Sequence, residues 1–259
     1  MEKKKGISGS TLKMIAIVTM LIDHIGAAVL ARLLMVNGLG ELDQTSTDAI
    51  MQWLSANGAL YGTYTVMRMI GRVAFPIFCF LLVEGFLHTH DVKKYAMRLG
   101  LFALLSEIPF DLAFSSKILE FNYQNVFFTL FIGLLTMIAY RAVEEKEEWN
   151  QALKVILYIL IVAAGMALAY FLKTDYAEKG VFCIMVLYIF RKKKMWQIIA
   201  GCASFIWETP ALFGFIPIAF YNGTRGWKMK YFFYIFYPAH LLILYLLCYF
   251  MGISGYSAV

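Results

Sequence analysis

The chain has 259 residues, 61% of them hydrophobic, 17% aromatic and only 15% charged, against the roughly 25% charge of a soluble domain. Apolar runs recur along its whole length with no soluble-looking block between them, which excludes an ordinary water-soluble enzyme and describes a single membrane domain over residues 1–259. The net charge of +6 sits mostly in short connections between apolar runs, where a topology signal belongs, so a lipid bilayer and not nucleic acid is the expected partner.

Nine apolar segments are candidate spans: about 12–35, 69–87, 95–114, 123–140, 152–172, 177–190, 195–207, 210–221 and 231–252. They predict an all-α, multi-pass bundle of about nine helices, with eight to ten as the range. The sixth to eighth fall below the roughly 17–25 residues of a full crossing, so tilted, broken or re-entrant segments are expected there. With the N-terminus in the cytoplasm, 17 of the 23 lysines and arginines face the cytoplasm, which favours that orientation and a plasma-membrane location. Lys3, Lys4 and Lys5 precede a first span too long for a signal peptide, and it is expected to stay uncleaved. The longest connection, residues 36–67, is expected outside the cell as a polar loop, with an apolar patch around Met51 to Leu54 on the membrane surface.

The first span carries Asp23 and His24 near mid-depth. An ionisable side chain there costs roughly 2.5–3.5 kcal/mol and marks a functional site by default. Neighbours in a helix point about 100° apart, so Asp23 and His24 cannot pair simply and each needs a partner on another helix. Lys13 lies eleven residues before His24, about 20° past three full turns and about 16 Å along the axis, hence on the same face. That suits a cytoplasmic cation holding one end of a long cofactor whose other end reaches the histidine.

Arg72 stands near the outer end of the second span and Glu84 near its inner end; Arg72 either snorkels or neutralises Asp23 or Asp111. On the third span Glu107 and Asp111 share a face with Pro109 between them. Asp111 reads equally as an interhelical latch. Histidines 88 and 90 read as polar loop residues, and no metal is expected. Cys79, Cys183, Cys202 and Cys248 all lie in apolar runs without paired spacing, which argues against disulfides or zinc. In the last span Pro238 kinks the helix beside His240, a second candidate functional histidine. Before it, the glycine-bounded loop from Tyr221 to Lys230 carries Arg225, Lys228 and Lys230. Topology, lipid headgroups or a phosphate cradle built on freed backbone amides each account for those cations.

Leu12-Lys13 with Ile22-Asp23-His24-Ile25-Gly26, Ile70-Gly71-Arg72 through Phe78, Glu84-Gly85-Phe86, Ser106-Glu107-Ile108-Pro109-Phe110-Asp111, Asn125 with Phe127-Phe128-Thr129-Leu130, Asp175-Tyr176, Tyr221-Asn222-Gly223 and Phe236-Tyr237-Pro238 with His240-Leu241 together resemble the TraX family. That family is named for a conjugal-transfer protein implicated in N-terminal acetylation of pilin. The lysine, ten residues, then histidine is also similar to a motif of the wider integral-membrane acyltransferases. The resemblance implies catalysis by His24, with acetyl-CoA entering from the cytoplasm near Lys13. Combined with the polar residues above, it gives an expected site in which Asp23 or Glu107 orients His24, His240 is a second functional histidine, and Arg225, Lys228 and Lys230 help Lys13 hold the coenzyme phosphates. Arg72, Glu84 and Asp111 would form a supporting polar network. The acceptor would be an amine or hydroxyl of a pilin-like peptide or a surface glycan. Two other readings stay open: a proton-coupled transporter or flippase built on Asp23, His24, Glu107 and His240, and a non-catalytic pilus assembly factor.

Overall fold

The computed structural model describes residues 5–227 and 230–257, without the side chains of 230 and 231. Lys3, Lys4 and Lys228, and the side chain of Lys230, therefore lie outside the described residues. The described chain is helical throughout, and its β-type pairing is limited to isolated bridges at Ile7–Tyr221 and Gln124–Thr174. Five helical stretches among the described residues are long and apolar enough to cross a membrane: Gly9–Val36, Thr47–His88, Val126–Glu144, Gln151–Phe171 and Phe232–Phe250.

The first stretch is α1 (Gly9–Ile25), a π-helical turn (Gly26–Leu30) and α2 (Ala31–Val36) in one continuous run. Ser8 caps its start by accepting from the Thr11 amide at 3.2 Å. The expected loop 36–67 is corrected. From Thr47 to Gly71 the chain is one helix, α3, capped by Ser46, and it folds back along α1 and α2, with the Trp53 indole donating to the Asn37 carbonyl at 2.7 Å. Its apolar residues point both ways: Val66, Met69 and Ile70 are exposed while Gly71 is buried. Lipid on one side and α1 on the other leave no polar stripe, which is why no helical period shows. At Arg72 the chain bends into α4 (Ala74–His88).

The next helices are α5 (Val92–Ser115), α6 (Val126–Glu144), α7 (Gln151–Phe171) and α8 (Ala177–Ile189). The segments 195–207 and 210–221, expected as separate crossings, depart from that count of nine. Helix α9 (Lys194–Ser204) turns at Phe205–Glu208, and a 3-10 turn (Thr209–Gly214) with α10 (Phe215–Ala219) brings the chain back. Lys194 Nζ closes the base by donating to the Ala219 and Tyr221 carbonyls, each at 2.7 Å. An eleven-residue α-helical arm reaches about 16 Å, half of the roughly 30 Å hydrocarbon core, so each segment is short for a crossing of its own and the two pair as a helical hairpin. The last helix is α11 (Lys230–Phe250).

The connections gather at two ends. One end holds Ile7 bonded to Phe220 and Asn222, Arg191 on Glu144, and the base of the hairpin. The other holds segments 116–125 and 172–176, joined through Gln124 and Lys173, together with the C-terminal tail. There Arg32, fully buried, donates to the carbonyls of Ala28 at 2.8 Å, Ala113 at 2.5 Å and Tyr256 at 2.8 Å. Its charge is thus spread over neutral acceptors at the end of α5 and the tail, which pins them to α2.

Candidate active site

A cavity of about 110 Å³ lies where α1, α3, α4, α5 and α11 meet, closed by the 123 and 175–176 segments. His24 and Asp23 line it, about 22 Å from the start of α1 at about 1.5 Å per residue. Helices α1 and α2 continue about 18 Å beyond to Val36, so the cavity stands at mid-depth, on the side of the 116–125 and 172–176 connections.

His24 faces α11. Its Nδ1 lies 2.6 Å from His240 Nε2, with the rings parallel within 3°. His240 Nδ1 lies 2.7 Å from the Phe236 carbonyl oxygen. A carbonyl only accepts, so the neutral His240 carries its proton on Nδ1 and offers Nε2 as an acceptor. His24 must then donate from Nδ1, which leaves the lone pair of His24 Nε2 free on a ring that lines the cavity. Phe114 and Tyr237 meet the His24 ring edge-on and hold its plane.

Asp23 faces α3 instead, and its Oδ2 accepts from Arg68 Nη1 at 2.7 Å. The helices approach this closely because position 71 is glycine: a Cβ there would run into the Asp23 carboxyl group. Asp23 Oδ1 is buried, lacks a hydrogen-bond partner among the described residues, and belongs to a residue that lines the cavity.

Arg72 does not reach Asp111. It bonds the Tyr176 hydroxyl, stands 3.6 Å from Glu208 at the hairpin tip, and adds a second positive charge near Asp23. Asp175 accepts from the Tyr123 hydroxyl at 2.7 Å, and its carbonyl accepts from the Thr129 hydroxyl. Tyr176 stacks on Phe75 at 3.6 Å between centroids. Lys173, Tyr176 and Ala177 all have positive φ, at 53°, 63° and 42°. Non-glycine residues held there cost about 1–3 kcal/mol each, a strain that concentrates at functional sites. Here it turns Asp175 and Tyr176 into the cavity.

Other expected site residues lie elsewhere. Glu107 does not meet His24; it accepts from the Asn125 side chain, which also donates to the Ala103 carbonyl at 2.8 Å and caps α6 through the Phe127 amide at 3.0 Å. Glu107 therefore fastens α5 to α6. Asp111 forms no interhelical ion pair among the described residues; it accepts from the Glu120 amide at 2.8 Å and folds the 116–122 segment against α5. Glu84 bonds the Tyr221 hydroxyl at the opposite end.

Lys13 and His24 do face the same helix, since the Lys13 ammonium sits 5.0 Å over the Phe233 ring of α11. Arg225 is near enough to repel it electrostatically. The loop around Arg225 differs from a cradle of free amides. Its carbonyls cap α1, with the Gly9 amide on Thr224 at 2.8 Å and the Ser10 amide on Arg225 at 3.0 Å. The amides of Asn222, Thr224 and Trp227 are used by Ile7, Asn222 and Ser10. What remains for an anion is side-chain charge, Lys13 and Arg225 among the described residues. Sequence reasoning missed Arg68, Tyr123, Asp175 and Tyr176 as site residues. The spacing of Arg68 four before Arg72 put both on one helix face and was the available signal.

The family model described as TraX protein matches residues 8–248, nearly the whole helical domain. The chain belongs to the TraX family. This TraX-family chain is also similar to a probable fimbrial assembly protein, FimC of serogroup H1, from Dichelobacter nodosus. The two are 27% identical over 206 residues, covering 70% of this chain and 82% of the relative. No solved structure matches it.

Proposed function

We propose that this TraX-family protein is a plasma-membrane acyltransferase that moves an acyl group, most simply acetyl, from cytoplasmic acetyl-CoA to an amine or hydroxyl of an extracytoplasmic acceptor. The observation that carries this reading is the His24–His240–Phe236 chain, which fixes a neutral His24 with a free Nε2 at the cavity. His24 Nε2 takes the acceptor's proton as the acceptor nitrogen or oxygen attacks the thioester carbonyl carbon. The carbon–sulfur bond breaks, and the departing thiolate recovers that proton from His24, so the enzyme returns unchanged. His240 positions His24 and keeps its tautomer. Asp23 Oδ1 is set to accept a hydrogen bond from the acceptor. Arg68 and Arg72 lie where negative charge develops on the carbonyl oxygen.

The residues fit a long phosphorylated donor in one respect and constrain it in another. Lys13 and Arg225 offer two cations at the end of the α1 face that leads to His24. Ile17 and Met20 fill that face between them, both buried. An apolar pantetheine arm would displace them, and flexible Met20 already borders the cavity. The cytoplasmic placement of the N-terminus rests on the lysines and arginines collected at the Ile7 end, including Lys93, Lys94, Arg141 and Arg191 to Lys194. The likeness to a fimbrial assembly protein supports an acceptor at the cell surface, a pilin-like peptide or a glycan.

The test is thermal unfolding of the purified protein with coenzyme A and acetyl-CoA, paired with thiol release from acetyl-CoA on adding amine or sugar acceptors. Stabilisation by the coenzyme that weakens in Lys13→Ala, and thiol release lost in His24→Ala, are expected. No stabilisation at saturating coenzyme would turn the reading toward a transporter. Indifference of both measurements to Lys13 and His24 would turn it toward a non-catalytic assembly factor.

A further inference from the structure

Four consecutive cations, Arg191 to Lys194, occupy the turn between α8 and α9, and they divide into two pairs. Arg191 is engaged inside the protein: its Nη2 lies 2.6 and 2.7 Å from the Glu144 carboxylate oxygens, and its guanidinium sits 3.9 Å over the Tyr188 ring. Lys194 closes the hairpin base. Lys192 and Lys193 are exposed and take part in no salt bridge among the described residues. With Ile189, Phe190 and Trp196 these two lysines line an open hollow of about 410 Å³. Trp196 is 54% exposed and Phe190 41%.

We propose that this hollow binds an anionic phospholipid, whose phosphate is held by the Lys192 and Lys193 ammonium groups while Phe190 and Trp196 lie along the first methylenes of its chains. A topology signal alone needs only positive charge, which Arg191 and Lys194 already supply. It does not need an aromatic wall beside two unengaged lysines. The turn lies at one end of the bundle, the depth at which tryptophan settles against headgroups. Each lysine near an anionic headgroup contributes attraction that a zwitterionic lipid, with no net charge, does not match. Inorganic phosphate would leave the aromatic wall bare. The site sits on the base of the α9–α10 hairpin, whose tip carries Glu208 to Arg72. A lipid bound there therefore braces the element that supports the cavity's second arginine.

Native mass spectrometry of the full chain in detergent, titrated with phosphatidylglycerol and with phosphatidylcholine of identical chains, tests this. The first phosphatidylglycerol should be retained over phosphatidylcholine, and K192Q/K193Q should weaken it about tenfold or more. Trp196→Ala keeps both charges and should also weaken binding, which separates the hollow from bare charge and serves if the double variant does not fold. Phosphatidylcholine bound as tightly as phosphatidylglycerol, either variant binding like the parent, or displacement of the lipid by millimolar inorganic phosphate would each overturn the proposal.

Discussion

His24 and His240, 216 residues apart in sequence, lie with their rings parallel within 3° and meet edge to edge through a hydrogen bond of 2.6 Å. Because the Phe236 carbonyl takes the far proton of His240, the pair has one neutral arrangement, with His24 Nε2 unprotonated. Substituting His24 by Ala should lower kcat by about 10²–10⁴, the usual worth of a positioned general base. Substituting His240 by Gln, whose side-chain oxygen still accepts from His24 Nδ1, should cost much less than substitution by Leu, which orphans that donor. Acyl transfer to an amine acceptor by the three purified variants decides it. Equal rates for the Gln and Leu variants would mean that the tautomer is set by something else.

The Asp23–Arg68 pair is mostly buried, with side-chain exposures of 13% and 25%. Removing one partner of such a pair leaves an uncompensated charge, at a cost of up to about 3–5 kcal/mol. Arg68→Met should therefore unfold much more readily in detergent than the parent, with Arg72 softening the loss. Asp23→Asn together with Arg68→Met should recover part of the stability, because no lone charge remains. A double variant as unstable as the sum of its singles would remove the pair as the link between α1 and α3.

What the sequence made legible followed from local pattern. The first helix, its ionisable pair and the shared face of Lys13 and His24 all lie within one stretch whose geometry the helical period dictates. The partners did not follow, since Arg68 and His240 meet α1 through tertiary packing that no spacing encodes. Helix α3 stayed hidden because lipid on one flank and α1 on the other make both of its flanks apolar. Glu107 and Asp111 looked alike on one helix face, yet Asn125 and the Glu120 amide draw them to separate structural duties. The strained segment from Lys173 to Ala177 was also invisible, since nothing in those residue types announces positive φ.

Gly71 is a direct test of how closely α1 and α3 must approach. A methyl group there meets the Asp23 side chain, which is already committed to Arg68. Overpacking of this kind costs about 1–3 kcal/mol. Gly71→Ala should lower thermal stability and activity together, whereas Gly58→Ala on the same helix, with open space at its Cβ, should leave activity unchanged and stability equal or higher. Parent-like behaviour of Gly71→Ala would mean that the interface yields without penalty.

The segment that carries Tyr123 toward the cavity is held by Glu120, whose carboxylate accepts from Lys117 at 2.5 Å and from Asn122. The Lys117 bond, with help from Asn122, pulls the Glu120 carboxyl down to about 2. A depressed carboxyl contributes order that is fully present above its unfolded value, near 4.5, and is lost as pH falls toward 2. Hydrogen exchange at residues 117–122 should therefore stay constant from pH 8 to 5 once corrected for intrinsic rates, then accelerate in stronger acid. Glu120→Gln should exchange faster already at pH 7. Exchange in the parent that accelerated between pH 7 and 5 would point to another titrating group.

A re-entrant placement of the α9–α10 hairpin and a pair of full crossings predict the same sidedness for every flanking connection, so only the turn tells them apart. Ile206 is 66% exposed in the absence of a bilayer, next to Trp207 and the Glu208 that faces Arg72. In two full crossings this turn reaches the extracytoplasmic water. In the hairpin it ends about 16 Å from its base, inside the hydrocarbon layer. A cysteine at Glu148 or Gly223 should react with a membrane-impermeant maleimide from the cytoplasmic side alone, and one at Lys173 from outside alone. Ile206→Cys should react from neither side in intact membranes and become reactive after solubilisation in denaturing detergent. Labelling of Ile206→Cys from outside in intact cells would replace the re-entrant hairpin with two crossings.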